Sequence, residues 1–258
     1  MRPLLRILTV SHKADLAAVP FKRFLENKVS NIALLLFTRT PEEEVRYKNL
    51  LPQATQTKKI AVAQKLIQRS QAVLAATNLP FYIYTTANQR GNTFGEKLYH
   101  AFADLFALGY QQVIAIGNDC PQLKPTDILE AAHTLQEQEV VLGPDLKGGV
   151  YLLGLTRHAF QECSSFNTIR WQTAWVVTDM AALFKQDTAK ITILGTYQDI
   201  NNAKDFQKSI RQKLFSSPLL RFFRLLLGYY ETYTSKAVVN FISRQYFPAL
   251  SFRGPPVF

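Results

Sequence analysis

Four short segments hold the residues whose types and spacing could do chemistry. In IGNDCPQL, residues 116–123, Asp119 stands just beyond an apolar run that reads as a strand. A carboxylate there can bind a hard cation, and that cation can bridge a diphosphate. Asp also caps turns at strand ends. In LGPDLKGGVYLLGL, residues 142–155, Gly148 and Gly149 either let a ligand approach the backbone or take positive φ in a hairpin. Asp145 lies in the same loop and is, by position, a candidate general base. In RGNTFGEKLYHAF, residues 90–102, Gly95 lies at a helix start. Exposed N–H groups there could meet a phosphate, and the alternative is a plain loop-to-helix junction. In YQDINNAKDF, residues 197–206, Asp199, Asn201 and Asn202 either cap a helix or supply oxygen ligands. His100 and His133 fall on helical stretches without partners at ligand spacing, and no G-x-S-x-G elbow is present, so Ser-His-Asp chemistry has no support.

These segments need a scaffold, and the hydrophobic pattern supplies one. The continuous apolar run IALLLF at 32–37 suits a strand buried on both faces of a parallel sheet. The segment TRTPEEEVRYKN that follows reads as a polar loop. Helical spacing covers 57–77, and FYIYTT at 81–86 reads as a strand. A helix runs over about 95–108, stopped by Gly109. VIAIG at 113–117 is the next strand, and Pro125 and Thr126 open a helix reaching about 137. VVLG at 140–143 and VYLLGL at 150–155 are strands joined through PDLKGG. A helix over 173–186, a strand at 191–194 and a helix over 203–213 complete the alternation. Such alternation implies an α/β fold, here a three-layer α/β/α sandwich with a mostly parallel mixed sheet. Ligands of open α/β sheets sit at the carboxyl ends of the strands, which selects the loops after residues 37, 86, 117 and 143.

Taken in order, the motifs FTRTP (37–41), FGEKL (94–98), GNDCPQL (117–123), LGPDLKGGVYLLGL (142–155), Trp171–Gln172–Thr173 and DINNAKDF (199–206) resemble a known family. It is the GT-A-like transferases of unassigned specificity often labelled rSAM/selenodomain-associated transferase 1, within the nucleotide-diphospho-sugar transferase superfamily. The resemblance spans roughly residues 32–208. It implies transfer of a sugar from a nucleoside diphosphate donor to an unknown acceptor, aided by Mg²⁺ or Mn²⁺. It implies Asp119 as the metal carboxylate, with Asp199 and Asn201 approaching from the far side. Arg39 would contact phosphate. Gln89 and Gly95 would lie near the nucleotide, Gly148 and Gly149 on the sugar or acceptor side, and Trp171 would form a wall unless it is a core residue. The chain departs from the family pattern at Glu42–Glu43–Glu44, Arg46–Tyr47–Lys48–Asn49, Thr93, Lys147 and Asn201. Three consecutive carboxylates would repel a pyrophosphate unless a cation intervened. Lys147 could itself bring positive charge to the phosphates. Nucleotidyl transfer, or a catalytically degenerate binding and assembly module, are the alternative readings.

The 258 residues are 47% apolar and carry a formal charge of +11, enough for one large domain with a sizeable core. The charge sits mainly in the flanks: residues 1–31 hold +4 and residues 213–258 hold +5, leaving +2 for the middle. That distribution argues against nucleic acid as the partner of the central domain. We therefore divide the chain into a basic N-terminal extension (1–31), the transferase-like domain (32–212) and a basic aromatic helical C-terminal extension (213–258). Ser217 and Pro218 read as an N-cap and first helical residue, and a second short helix is expected near 236–246. The wide apolar face from Leu219 to Tyr230 packs onto the domain, onto a second subunit in a homo-oligomer, or into a membrane interface. Cys120 and Cys163 lack metal-ligand spacing and suit a reducing cytoplasm. The expected location is cytoplasmic, with peripheral contact at the inner membrane surface open to the tail.

Overall fold

The computed structural model describes residues 31–163, 166–186 and 189–228. The N-terminal extension, the helix expected near 236–246 and the final FRGPPVF segment lie outside the described residues. Six strands form one sheet in the order β2-β1-β3-β5-β4-β6: β1 Ile32–Phe37, β2 Phe81–Tyr84, β3 Gln112–Ile116, β4 Val140–Pro144, β5 Val150–Thr156 and β6 Ile191–Ile193. β5 runs antiparallel to both its neighbours, β3 and β4, and the other pairings are parallel. The helices are α1 Pro41–Tyr47, α2 Gln56–Ala75, α3 Phe94–Ala107, α4 Pro125–Thr134, α5 Arg157–Glu162, α6 Val176–Gln186, α7 Ala203–Arg211 and α8 Ser217–Leu226.

Both faces of the central sheet are buried, so β1, β3, β4 and β5 are apolar almost throughout. Ala33, Leu35, Val113, Ala115, Val140 and Leu142 face a core shared with Phe102 and Leu105 of α3 and Met180 and Phe184 of α6. The alternate residues Leu34, Leu36, Ile114, Ile116 and Val141 face a second core with Ile67 and Leu74 of α2 and Ile128 and Ala131 of α4. This is the three-layer α/β/α sandwich expected from the sequence. Gly109 stops α3 at φ +103°, a backbone geometry that favours glycine.

Three differences from the sequence reading matter. The stretch read as a polar loop contains α1. Thr40 caps it by accepting the Glu43 N–H, Pro41 fills its first turn, and Glu42, Glu43 and Glu44 complement its positive end. Residues 157–162 form α5, which the reading omitted. The third difference is a third apolar cluster, in which Leu220 and Phe223 of α8 pack with Leu50, Leu51, Val62, Leu66, Phe206, Ile210 and Phe215. Part of the tail's apolar face is therefore covered by the domain itself, and the cluster runs across the boundary drawn at residue 212. Leu225 on the same helix stays 70% exposed. Among the described residues no helix is long and apolar enough to cross a membrane.

Candidate functional site

The loops that leave β1, β2, β3, β4 and β6 meet at one edge of the sheet and enclose a cleft of about 940 Å³. Its floor is the ends of the strands, including Ala115, Ile116 and Leu152. Its walls carry Arg39, Glu44, Lys48, Gln89, Asn118, Asp119, Asp145, Lys147, Gly149, Trp171, Asp199 and Asn201. The segments of residues 116–123 and 197–206, distant in the chain, are fastened to each other: the Ile200 N–H donates to the Asp119 carbonyl at 3.0 Å, and the Gln198 N–H to Gln122 Oε1 at 2.9 Å. From behind, Arg69 of α2 donates to the carbonyls of Cys120, Pro121 and Leu123 at 3.0, 2.6 and 2.7 Å. A planar guanidinium can hold three carbonyls of an irregular loop at once, and so fixes where Asp119 points.

Asp119 and Asp145 lie close enough to Asp199 to perturb it. Burial, then the charges of Asp119 and Asp145, push the Asp199 carboxyl up to about 8. Lys48 opposes the rise, and a hydrogen bond with Asp145 adds to it. The Lys48 ammonium pairs with both Asp119 and Glu44, the second at 3.4 Å. Burial alone would lower its pKa, but Asp119 and Glu44 outweigh burial and raise it. Glu44 is also held by Arg39 at 3.2 Å, so one of the three consecutive glutamates is neutralised from two sides. Burial pushes the neighbouring Cys120 thiol up to about 12, which leaves it inert as a nucleophile.

Among the described residues, four buried side-chain polar atoms have no hydrogen-bond partner. Three of them, Glu43 Oε2, Asn118 Nδ2 and Asp199 Oδ1, belong to residues that line this cleft. A buried polar group without a partner costs on the order of 1–3 kcal/mol, so their concentration at one place points to an absent polar ligand.

The expected site residues divide by what the structure does with them. Arg39, Gln89, Asp119, Asp145, Lys147, Gly149, Trp171, Asp199 and Asn201 all line the cleft. Gln89 also spends its amide on the carbonyls of Thr38 and Tyr84, tying β1 to β2. Lys147 pairs with Asp205 at 2.6 Å, so its charge is already matched. Trp171 serves as both wall and core: its ring nitrogen donates to the Phe166 carbonyl at 2.9 Å, and its ring packs against Phe94. Asn202 takes the capping alternative by accepting the Asp205 N–H.

Gly95 and Gly148 do not line the cleft. A Cβ on Gly95 would fall 2.6 Å from the Trp171 ring nitrogen. The start of α3 is closed by its own residues, Thr93 accepting the Glu96 N–H and Glu96 accepting the N–H groups of Asn92 and Thr93. Gly148 has φ +88°, and its Cβ would fall 2.0 Å from the Ala174 carbonyl oxygen. The room these glycines create is therefore filled by the protein. Gly149 similarly makes room for Asp145, whose Oδ1 accepts the N–H groups of Lys147 and Gly149 at 2.6 and 2.9 Å.

Two residues of the site escaped the sequence reading. Lys48 follows α1, four residues after Glu44. Reading Thr40–Pro41–Glu42 as a helix start would have placed the two on one face. Asn118 is buried beside Asp119, and no spacing signal distinguishes it.

This fold is shared with known proteins. Residues 51–173 match the model of a family described as an uncharacterized protein conserved in bacteria, DUF2064. A crystal structure from Desulfovibrio desulfuricans G20, of a candidate nucleotide-diphospho-sugar transferase, superposes with a TM-score of 0.66 at 22% identity, covering 78% of this chain and 98% of that one. That likeness establishes the nucleotide-diphospho-sugar transferase fold, and the resemblance drawn from the motifs holds at that level. More distant are a cytidylyltransferase from Leptospira borgpetersenii (TM-score 0.39, 10% identity, 77% of this chain and 96% of that one) and a Mycobacterium tuberculosis H37Rv protein, Rv0371c, in complex with manganese (0.37, 14%, 69% and 96%). Their overlap is too loose to inform this site. No curated protein matches the sequence.

Proposed function

We propose that the cleft binds a nucleoside diphosphate-sugar and that the protein transfers its sugar to a small acceptor. The observation that carries this reading is the clustering of the unpartnered Asn118, Asp199 and Glu43 atoms with the Asp119 carboxylate in one cleft of about 940 Å³ at the carboxyl edge of the sheet. A nucleotide-sugar suits such a volume, and a diphosphate needs cations and N–H donors of the kind that Arg39, Lys48 and Asn118 present.

The superfamily resemblance implies Mg²⁺ or Mn²⁺, and the residues fit such an ion in kind. Asp119 and the unpartnered Asp199 Oδ1 are hard oxygen donors, and Asn201 stands beside them on the cleft wall. Among the described residues no three His, Cys, Asp or Glu side chains already stand in a coordinating arrangement. Lys48 already holds Asp119 Oδ2, so the ion would compete with it for that carboxylate. Bound there, the ion would neutralise charge developing on the departing diphosphate. Asn118 would donate its Nδ2–H to a donor oxygen, and Trp171 would wall the sugar side. Asp145 already commits Oδ1 to two backbone N–H groups, so a proton from the acceptor would pass to its other oxygen.

Thermal shift against nucleotides and nucleotide-sugars, with and without Mn²⁺, tests the reading. A metal-dependent rise with one donor, lost in Asp119→Ala, is expected. No response across the panel in folded protein contradicts it. Release of nucleoside diphosphate on turnover marks sugar transfer, whereas release of pyrophosphate would mark nucleotidyl transfer.

A further inference from the structure

The ammonium on Asp119 has a consequence of its own. Lys48 Nζ sits on Asp119 Oδ2 and within 3.4 Å of Glu44 Oε1, and its side chain is only 12% exposed. Nothing in ordinary surface chemistry requires this. A lysine at the end of a short helix usually reaches solvent, because burying an ammonium is costly unless carboxylates surround it. Here the chain places it on the cleft wall, against the carboxylate that the resemblance assigns to a metal. An ammonium on Asp119 Oδ2 makes a divalent cation on the same carboxylate less favourable, since their charges repel.

We infer that Lys48 is a tethered counter-ion that trades places with the metal: it holds Asp119 while the site is empty, and moves onto the diphosphate when the ion arrives. This rests on the metal-assisted diphosphate reading above. Lysine suits the task. Its ammonium carries three N–H donors on a flexible stem; one goes to Asp119, and Glu44 is a further ion-pair partner at 3.4 Å, so donors remain for an arriving oxygen. Glu44 anchors the stem, and Arg39 holds Glu44 from its other oxygen. When Asp119 turns to a metal, Lys48 loses one partner and the phosphate replaces it. Metal and diphosphate then assist each other's binding, because each removes a cost that the other would bear alone. The empty site also avoids three unpaired carboxylates in one pocket. The departures from the family pattern at Glu44 and Lys48 thereby have a role: Glu44 holds Lys48 while it exchanges between Asp119 and the phosphate.

The test uses the full chain, without nucleotide. Mn²⁺ is titrated into wild type, Lys48→Met and Lys48→Arg, with free Mn²⁺ read by electron paramagnetic resonance. Removing the competitor should tighten Mn²⁺ binding at least about tenfold in Lys48→Met, while Lys48→Arg stays within about threefold of wild type. A second titration, with preformed magnesium pyrophosphate followed by calorimetry, should show Lys48→Met binding at least about tenfold more weakly than wild type. Circular dichroism melts confirm that the variants are folded, and Lys48→Arg keeps the charge if Lys48→Met is unstable. Mn²⁺ binding in Lys48→Met no tighter than in wild type overturns the exchange. Tighter Mn²⁺ with unchanged magnesium pyrophosphate binding overturns the move onto phosphate. In both cases wild-type binding of magnesium pyrophosphate leaves the functional reading standing. Folded wild type that binds neither probe overturns both.

Discussion

The carboxylates of the cleft and the glycines around it were marked out by equally distinctive sequence motifs, yet the protein treats them in opposite ways. At the carboxylates, Asn118 Nδ2 and Asp199 Oδ1 are buried without partners, and Asp119 is paired with Lys48. Around the glycines, of which only Gly149 lines the cleft, Ala174 fills the space beside Gly148, Trp171 the space beside Gly95, and Asp145 the space beside Gly149. Unsatisfied polar groups are costly and persist where a ligand satisfies them. Glycines filled by the protein's own atoms serve packing. We therefore propose ligand chemistry at the carboxylates, while the glycines serve scaffold geometry.

Substitutions should separate the two sets by what they damage. The largest effect on stability is expected at Gly148. A methyl there meets the Ala174 carbonyl oxygen at 2.0 Å at a φ that already disfavours it, so Gly148→Ala should lose about 3 kcal/mol in a denaturant melt. A neutral result would return Gly148 to the ligand side. Next is Arg69→Met, which leaves three carbonyls of the Asp119 loop without their donor. It should cost about 2 kcal/mol and weaken Mn²⁺ binding together. Stability lost with metal affinity intact would show that the clamp does not aim Asp119.

Asp199 offers a subtler test by pH. In the folded protein its carboxyl keeps a proton up to about 8, whereas in an unfolded chain an aspartate ionises near about 3.9. Between those values the folded state binds more protons, so rising pH removes stability. Asp199→Asn cannot ionise, and in EDTA its melting temperature should pull ahead of wild type as pH goes from 5 to 8. Parallel profiles would mean that the carboxylates are not crowded. The smallest effect is expected for Lys147→Ala. Its ion pair with Asp205 is half exposed, and its loss should cost under about 1 kcal/mol. A large fall in donor affinity in that variant would move phosphate recognition toward the glycine turn.

The same contrast explains what the sequence could and could not convey. The buried strands were legible because IALLLF and VIAI admit no other reading, and the hairpin because PDLKGG separates two apolar runs. α1 was missed since its seven residues carry little hydrophobic periodicity, although Thr40, Pro41 and three glutamates spell a helix start. Asp119 was legible from its place after a strand. Lys48 was not, because its pairing spans 71 residues and no local pattern reports a contact that long. The glycines were legible as special but not in purpose: one residue type serves a ligand or a neighbouring carbonyl, and only the position of Ala174 decides between them.

The most direct test of the account is a crystal soaked with Mn²⁺ and a nucleoside diphosphate, with data collected at the manganese absorption edge. The account predicts an anomalous peak between Asp119 and Asp199, the diphosphate against Lys48 and Asn118, and Lys48 withdrawn from Asp119. A diphosphate bound at the Gly148–Gly149 turn, with Lys48 still on Asp119 and no peak between the aspartates, would contradict it.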